Sequence, residues 1–235
     1  MSTKRSNRFI LFVILGVVAA AAGLGYYSNS LKLNDSNASS ATAAEATTNT
    51  TPDTPFDASA LAVGDDEIII GKATAPVTIV EYSSLSCPHC AHFHADILPE
   101  VKKAVIDTGK AKLVIRPFPL NLPALRASIL VACAPKPTRG ALLEKLYQQQ
   151  KNWAFTPAFL NELKTIAAAS GIDAERFDAC MKDVAIESNV LNTRKTAMEK
   201  LHVKSTPSFF VQGTPLVMND GLNAEVIITA VEQAQ

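Results

Sequence analysis

The stretch Cys87-Pro88-His89-Cys90 constrains this chain more than any other. It follows an apolar, β-branched run, Val77–Tyr82, and a short polar turn, Ser83-Ser84-Leu85-Ser86; a helical pattern begins at the first cysteine. The chain must therefore carry a strand into a helix with two thiols at the helix start. Two thiols separated by two residues suit either dithiol–disulfide exchange or metal ligation.

The neighbouring segments extend this junction. Asp66–Gly71 is a short β-like run, and Thr74-Ala75-Pro76 turns into the Val77–Tyr82 strand. The helix after Cys87 is expected to reach about Thr108, where Gly109 stops it, with Pro99 kinking or breaking it on the way. Lys112–Arg116 is the next strand, closed by Pro117 and Pro119. Strand, helix, strand implies a parallel pair, with both cysteines at the carboxyl end of its first strand.

From about Leu122 to Leu201 the pattern is helical throughout. Helices are expected at Pro123–Ala134 and Thr138–Lys151. A third opens at Thr156-Pro157 and ends at Gly171, a fourth is capped by Asp173, and a last one runs towards Leu201. The block is long enough for a small bundle. β-Character then returns as a hairpin, Ser208–Gln212 and Leu216–Met218 around Gly213-Thr214-Pro215, and Leu222–Gln233 closes the chain as a helix.

At the other end, Lys4, Arg5 and Arg8 precede an uncharged, mostly apolar run from Phe9 to Tyr27. Its length falls between a signal-peptide core of about 7–15 residues and a spanning helix of about 20. Residues 1–27 are expected to be either a signal peptide, for which Ala20 and Ala22 offer small-x-small spacing, or an uncleaved membrane anchor. Either sends the remainder to an extracytoplasmic compartment, where disulfides persist. Residues 28–60 are rich in Ser, Thr, Asn and Ala, and are expected to be a flexible linker. They hold no heptad pattern, so no oligomerisation stalk is expected, and the protein reads as a monomer. Formal net charge is zero with histidine neutral, which argues against a nucleic-acid partner.

The strand–Cys-Pro-His-Cys–helix unit, Thr206-Pro207 ahead of a strand, and the closing hairpin and helix resemble the thioredoxin fold. With the inserted helices, the likeness is to the DsbA-like thiol–disulfide oxidoreductases, and it covers about Asp66 to the C-terminus. It implies an α/β thioredoxin fold, residues 61–121 and 202–235 forming its two halves and residues 122–201 an inserted all-helical subdomain. It implies a cis Pro207 facing the cysteines, with Thr206 offering backbone hydrogen bonds to an incoming peptide. Glu81 is similar to the family's buried acid, which moves protons to and from the resolving cysteine; Lys112 is its loosely aligned candidate partner. The Pro88-His89 dipeptide resembles that of the DsbA oxidases. The implied partners are reduced exported proteins and a membrane oxidant of the DsbB type, in a periplasmic setting, possible tethering falling to residues 9–27. No cofactor and no metal is implied.

The residues also carry a reading of their own. Cys87 stands at the helix start, where free N–H groups and the helix dipole favour an anion, so it is the nucleophile and Cys90 the resolving thiol. His89 can add charge or a donor near the sulfur, or be a plain surface turn residue. Cys133 and Cys180 fall on separate helices and are expected to form a structural disulfide, two buried free thiols being the alternative. Competing readings are a disulfide isomerase or reductase, and a copper or zinc module built on Cys87, Cys90, His92 and His94. On a helix, however, His92 points away from Cys90, and only His94 lies a turn below it. Met181, Met198 and Met218 show no clustering suited to copper.

Overall fold

The Val77–Tyr82 run occupies the middle of a five-stranded sheet of order β1-β3-β2-β4-β5. The strands are β1 (Ile68–Ile70), β2 (Val77–Ser83), β3 (Ala111–Pro117), β4 (Ser208–Val211) and β5 (Thr214–Pro215). The computed structural model describes residues 55–218 and 221–235. The expected signal or anchor at 1–27, and the linker as far as residue 54, lie outside the described residues. β2 and β3 are parallel, with Glu81 opposite Ile115, and the remaining pairs are antiparallel. β2 is almost wholly buried because both faces are covered, which is why its sequence reads as a continuous apolar run instead of an alternation.

Alternation along β2 separates two cores. Val77 and Ile79 pack with the helix after Cys87, with Phe209 and Val211, and with the helical block, while Val80 and Tyr82 face a second cluster with Val114, Phe210, Ala197 and Leu201. By the same period Glu81 and Ser83 belong to the first face.

The helix after Cys87 runs through residues 88–106 without a break. It comprises α1 (Pro88–His92), a π segment (Phe93–Ile97), α2 (Leu98–Val101) and a second π segment (Lys102–Ile106). The kink expected at Pro99 is absorbed by the widened turn ahead of it. Leu98 donates to Phe93, five residues back, and Pro99 then sits in the first turn of α2, where its missing N–H costs least. Gly71, at φ 100°, passes so close beneath this run that a Cβ there would stand 2.6 Å from Ile106 Cγ2.

The helical block contains α3 (Leu122–Cys133), α4 (Lys136–Gln148), α5 (Gln150–Trp153), α6 (Phe159–Ala168), α7 (Ala174–Cys180) and α8 (Val184–Lys200). Asn121, Asp173 and Asp183 side chains cap α3, α7 and α8. The block is less separate than the sequence suggests. Leu130, Leu146, Leu163 and Phe177 share one core with the sheet, and the end of α8 crosses to the sheet's second face. The expected linker also ends early. Ala58–Leu61 form a 3-10 helix capped by Asp57, and Leu61 enters the second core.

Arg116 ties this N-terminal turn to β3. Its guanidinium donates to the carbonyls of Ala60 and Ala62, to Tyr82 Oη at 3.0 Å and to Glu67 Oε1 at 2.6 Å. The closing hairpin turns on Gln212 and Gly213, both at positive φ, as the twist of a two-residue loop requires. Its second strand is shorter than expected and shifted back to Thr214–Pro215, although the Leu216 N–H still donates to the Phe209 carbonyl at 2.9 Å. α9 (Ala224–Gln233) closes the first core through Ile227 and Val231. Among the described residues no helix is long and apolar enough to cross a membrane.

Candidate active site

Cys87 is the N-cap of α1, in extended conformation, and Pro88 takes the first helical position, which needs no N–H. Both cysteines are buried, Cys90 completely, while the Pro88 and His89 side chains stand in solvent. Gln150 fixes the approach to the site by donating to the carbonyls of Leu85 at 2.8 Å and Cys87 at 2.9 Å. The Thr206–Pro207 peptide is cis and brings the Thr206 carbonyl to 3.3 Å from Cys87 Sγ, which donates to it as a thiol.

The two sulfurs differ sharply in proton affinity. The Cys90 thiol, donating to Cys87 Sγ, does most to hold the Cys87 thiol down at about 5; burial opposes it, and the Thr206 side chain and the N–H groups of Cys90 and His89 assist. The Thr206 contact to Cys87 Sγ is that of its carbonyl; the Thr206 hydroxyl is buried and has no hydrogen-bond partner among the described residues. Cys90 moves the opposite way. Burial raises it far above the ordinary range, helped by Cys87 and the Glu81 charge and opposed by the Ser83 hydroxyl. A stabilised thiolate beside a firmly protonated partner is the arrangement that dithiol–disulfide exchange needs.

The sequence profile of the thioredoxin family matches residues 64–226. The chain belongs to the thioredoxin family. Within it the chain is DsbA-like. The Wolbachia pipientis alpha-DsbA1 crystal structure superposes with a TM-score of 0.67 at 26% identity, covering 75% of this chain and 94% of that one. The thiol:disulfide interchange protein DsbA of Pectobacterium carotovorum is 25% identical over 76% of this chain and 87% of its own length. A Rickettsia felis protein named as a protein-disulfide oxidoreductase is 34% identical over 73% of this chain. The match spans only 61% of that Rickettsia protein's length.

Beneath the cysteines of this thioredoxin-family site lies a set of buried polar groups that sequence reasoning only partly found. Glu81 is fully buried, and its partner is His94, at 3.1 Å between Oε2 and Nε2. Lys112, the partner considered from the sequence, instead donates to the Ala73 carbonyl at 2.8 Å. His94 stacks on the Tyr147 ring at 4.2 Å between centroids, and Tyr147 Oη lies 2.6 Å from Ser83 Oγ. His94 was legible only as one helical turn below Cys90, and Ser83 only as the residue two beyond Glu81. Tyr147 and Gln150 left no signal, because their approach depends on how α4 and α5 dock.

The four residues weighed as a metal set are not gathered. His92 is exposed and paired with Asp96 at 2.7 Å, while His94 is committed to Glu81. Among the described residues no cluster of three or more histidine, cysteine or acidic side chains could hold a metal ion. Cys133 and Cys180 are joined as a disulfide with Cα atoms 5.8 Å apart, linking the ends of α3 and α7.

Proposed function

We propose that this protein is an extracytoplasmic thiol:disulfide oxidoreductase working as an oxidase, introducing disulfides into exported proteins through Cys87 and Cys90. The observation that carries the proposal is the Cys87 thiol held at about 5 against a Cys90 thiol held protonated. Stabilising the Cys87 thiolate stabilises the reduced enzyme, and so makes its disulfide a stronger oxidant.

In the oxidised enzyme a client thiolate attacks Cys87 Sγ. A client–Cys87 disulfide forms, the Cys87–Cys90 bond breaks, and Cys90 leaves and takes a proton. A second client thiolate then attacks the client sulfur of the mixed disulfide, closing the client disulfide and expelling Cys87 as its stabilised thiolate. The client loses two electrons and the enzyme gains them. Thr206 and cis Pro207 lie beside Cys87, where the Thr206 backbone would bind the client peptide. In this reading the exposed His89 side chain supplies a donor or charge near the sulfur. Glu81 serves proton movement at Cys90. Reoxidation falls to a membrane oxidant of the DsbB type, residues 1–27 directing the chain to the periplasm or tethering it there through residues 9–27. The Cys133–Cys180 bond is structural.

Equilibrating Cys87–Cys90 with glutathione buffers tests the direction of electron flow. The expected potential is oxidising; one as reducing as thioredoxin's overturns the oxidase reading. Rapid oxidation of a reduced client, without repair of a scrambled one, separates an oxidase from an isomerase.

A further inference from the structure

Cys90 must gain a proton each time a client attacks and lose it each time the enzyme is reoxidised, yet it has no exposure of its own. Glu81 cannot exchange that proton directly with solvent, since it is equally sealed and its Oε2 is held by His94. One chain of hydroxyls does lead outward. Ser83 lies on the same sheet face as Glu81, and its hydroxyl acts on the Cys90 thiol, favouring its deprotonation. Its oxygen lies 2.6 Å from Tyr147 Oη. Ser83 and Tyr147 both line a half-open cavity of about 570 Å³ between the sheet and helices α3, α4 and α8, walled also by Arg116, Ser128, Asn189 and Thr193. The wall is mostly apolar, but these polar side chains face a half-open space large enough to admit water and give it partners. Cys90 and Glu81 do not line it.

We propose that Ser83 and Tyr147 form a proton relay connecting the Cys90 thiol to the water of this cavity. The inference rests on the exchange chemistry proposed above. During reoxidation the Cys87 thiolate attacks an external disulfide and expels one thiolate. Cys90 Sγ then attacks Cys87 Sγ, forming the intramolecular bond and expelling the second thiolate. The Cys90 proton passes to Ser83 Oγ, the Ser83 proton to Tyr147 Oη, and the Tyr147 proton to cavity water. The external disulfide gains the two electrons lost by the cysteines. When a client attacks the oxidised enzyme, the same protons run inward. In this relay Ser83 exchanges the proton with the reacting sulfur; Tyr147 acts through Ser83 and is a positioning residue. The other ionisable groups around Cys90 are Cys87 and Glu81, with His94 behind Glu81. None of these three opens on the cavity.

The test mixes reduced full-length protein with oxidised glutathione and follows it by acid quench and mass spectrometry. This separates glutathionylation of Cys87 from the unimolecular release of glutathione by Cys90. Tyr147→Phe and Ser83→Ala are expected to slow only the second phase, by about tenfold or more. Ser83→Thr, which keeps the hydroxyl, is expected to restore it. The proton inventory of that phase is expected to be bowed in the parent protein and straight in Tyr147→Phe. An unchanged second phase in both variants overturns the relay, as does a Ser83→Ala defect that Ser83→Thr does not repair. Should Tyr147→Phe fail to fold, the two Ser83 variants decide alone by the same criteria. A reducing glutathione equilibrium with an intact relay pattern sinks the oxidase reading and leaves the relay standing. A parent protein that never glutathionylates at Cys87 sinks both.

Discussion

Glu81 Oε2 and His94 Nε2 lie 3.1 Å apart beneath the cysteine pair, with both side chains closed to solvent. The contact joins the central strand to the first π segment, and His94 passes the constraint on to α4 by stacking on Tyr147. Removing the imidazole leaves the carboxylate buried without this partner. His94→Ala is expected to cost about 3 kcal/mol in urea unfolding, a magnitude typical of breaking a buried polar pair. The double variant Glu81→Gln/His94→Ala is expected to cost less than the sum of the singles. Strict additivity would remove the coupling.

Glu81→Gln keeps the shape and removes the charge. Because the Glu81 charge helps hold the Cys90 proton in place, the variant is expected to alter the pH profile of disulfide exchange. Stopped-flow rates that coincide with the parent's at every pH would remove Glu81 from the mechanism.

The lowered Cys87 thiol gives two pH signatures. Alkylation of Cys87 by iodoacetamide is expected to reach half its maximal rate near pH 5, far below the ordinary thiol value of 9.0. Reduced-state stability follows with a definite sign. Between about 5 and 9 the unfolded chain holds a proton that native Cys87 has released, so stability rises with pH and is lost as pH falls towards 5. Above about 9 the raised Cys90 reverses the slope, because only the unfolded chain releases that proton. The oxidised protein lacks both thiols. Comparing denaturant midpoints of the two forms across pH isolates the effect, and parallel profiles would contradict it.

The Cys133–Cys180 bond closes a loop with a sequence separation of 47. Replacing both cysteines by serine is expected to cost about 4 kcal/mol in the chain-entropy model. Chemical denaturation measures the loss, and the alkylation profile of Cys87 is expected to stay unchanged.

Arg116→Lys keeps a charge but not the fork that joins Glu67, Tyr82 and two carbonyls of the N-terminal turn. A loss of about 2–3 kcal/mol is expected, as for hydrogen bonds to a charged group. Hydrogen exchange is expected to quicken first at residues 58–62, and uniform exchange would show that Arg116 does not anchor this turn.

The chemistry of the site was legible where it depends on neighbours along the chain. Cys87 and Cys90 announce themselves by their spacing at a strand–helix junction, and Glu81 by standing as a carboxylate in an apolar strand. The closing hairpin was legible for the same local reason, though its turn, read at Gly213-Thr214-Pro215, falls on Gln212-Gly213. The inserted helices were also visible, but the core they share with the sheet was not. Nothing in the sequence of α8 says that its end crosses to the second face of the sheet.

The sequence by itself determined the order of strands and helices, the two thiols at a helix start and the likeness to the thioredoxin fold. The first two follow from local periodicity, capping and turn chemistry, which act over a few residues; the likeness rests on the resemblance of the Cys87–Cys90 motif, Thr206-Pro207 and the closing hairpin and helix to that family. Only the tertiary structure decided that Glu81 meets His94 instead of Lys112, that Gln150 holds the Leu85 and Cys87 carbonyls, and that Tyr147 reaches Ser83. The physical reason is that a buried polar group must find a partner wherever packing delivers one. That delivery depends on how α4 and α5 dock on the sheet, many residues away in sequence.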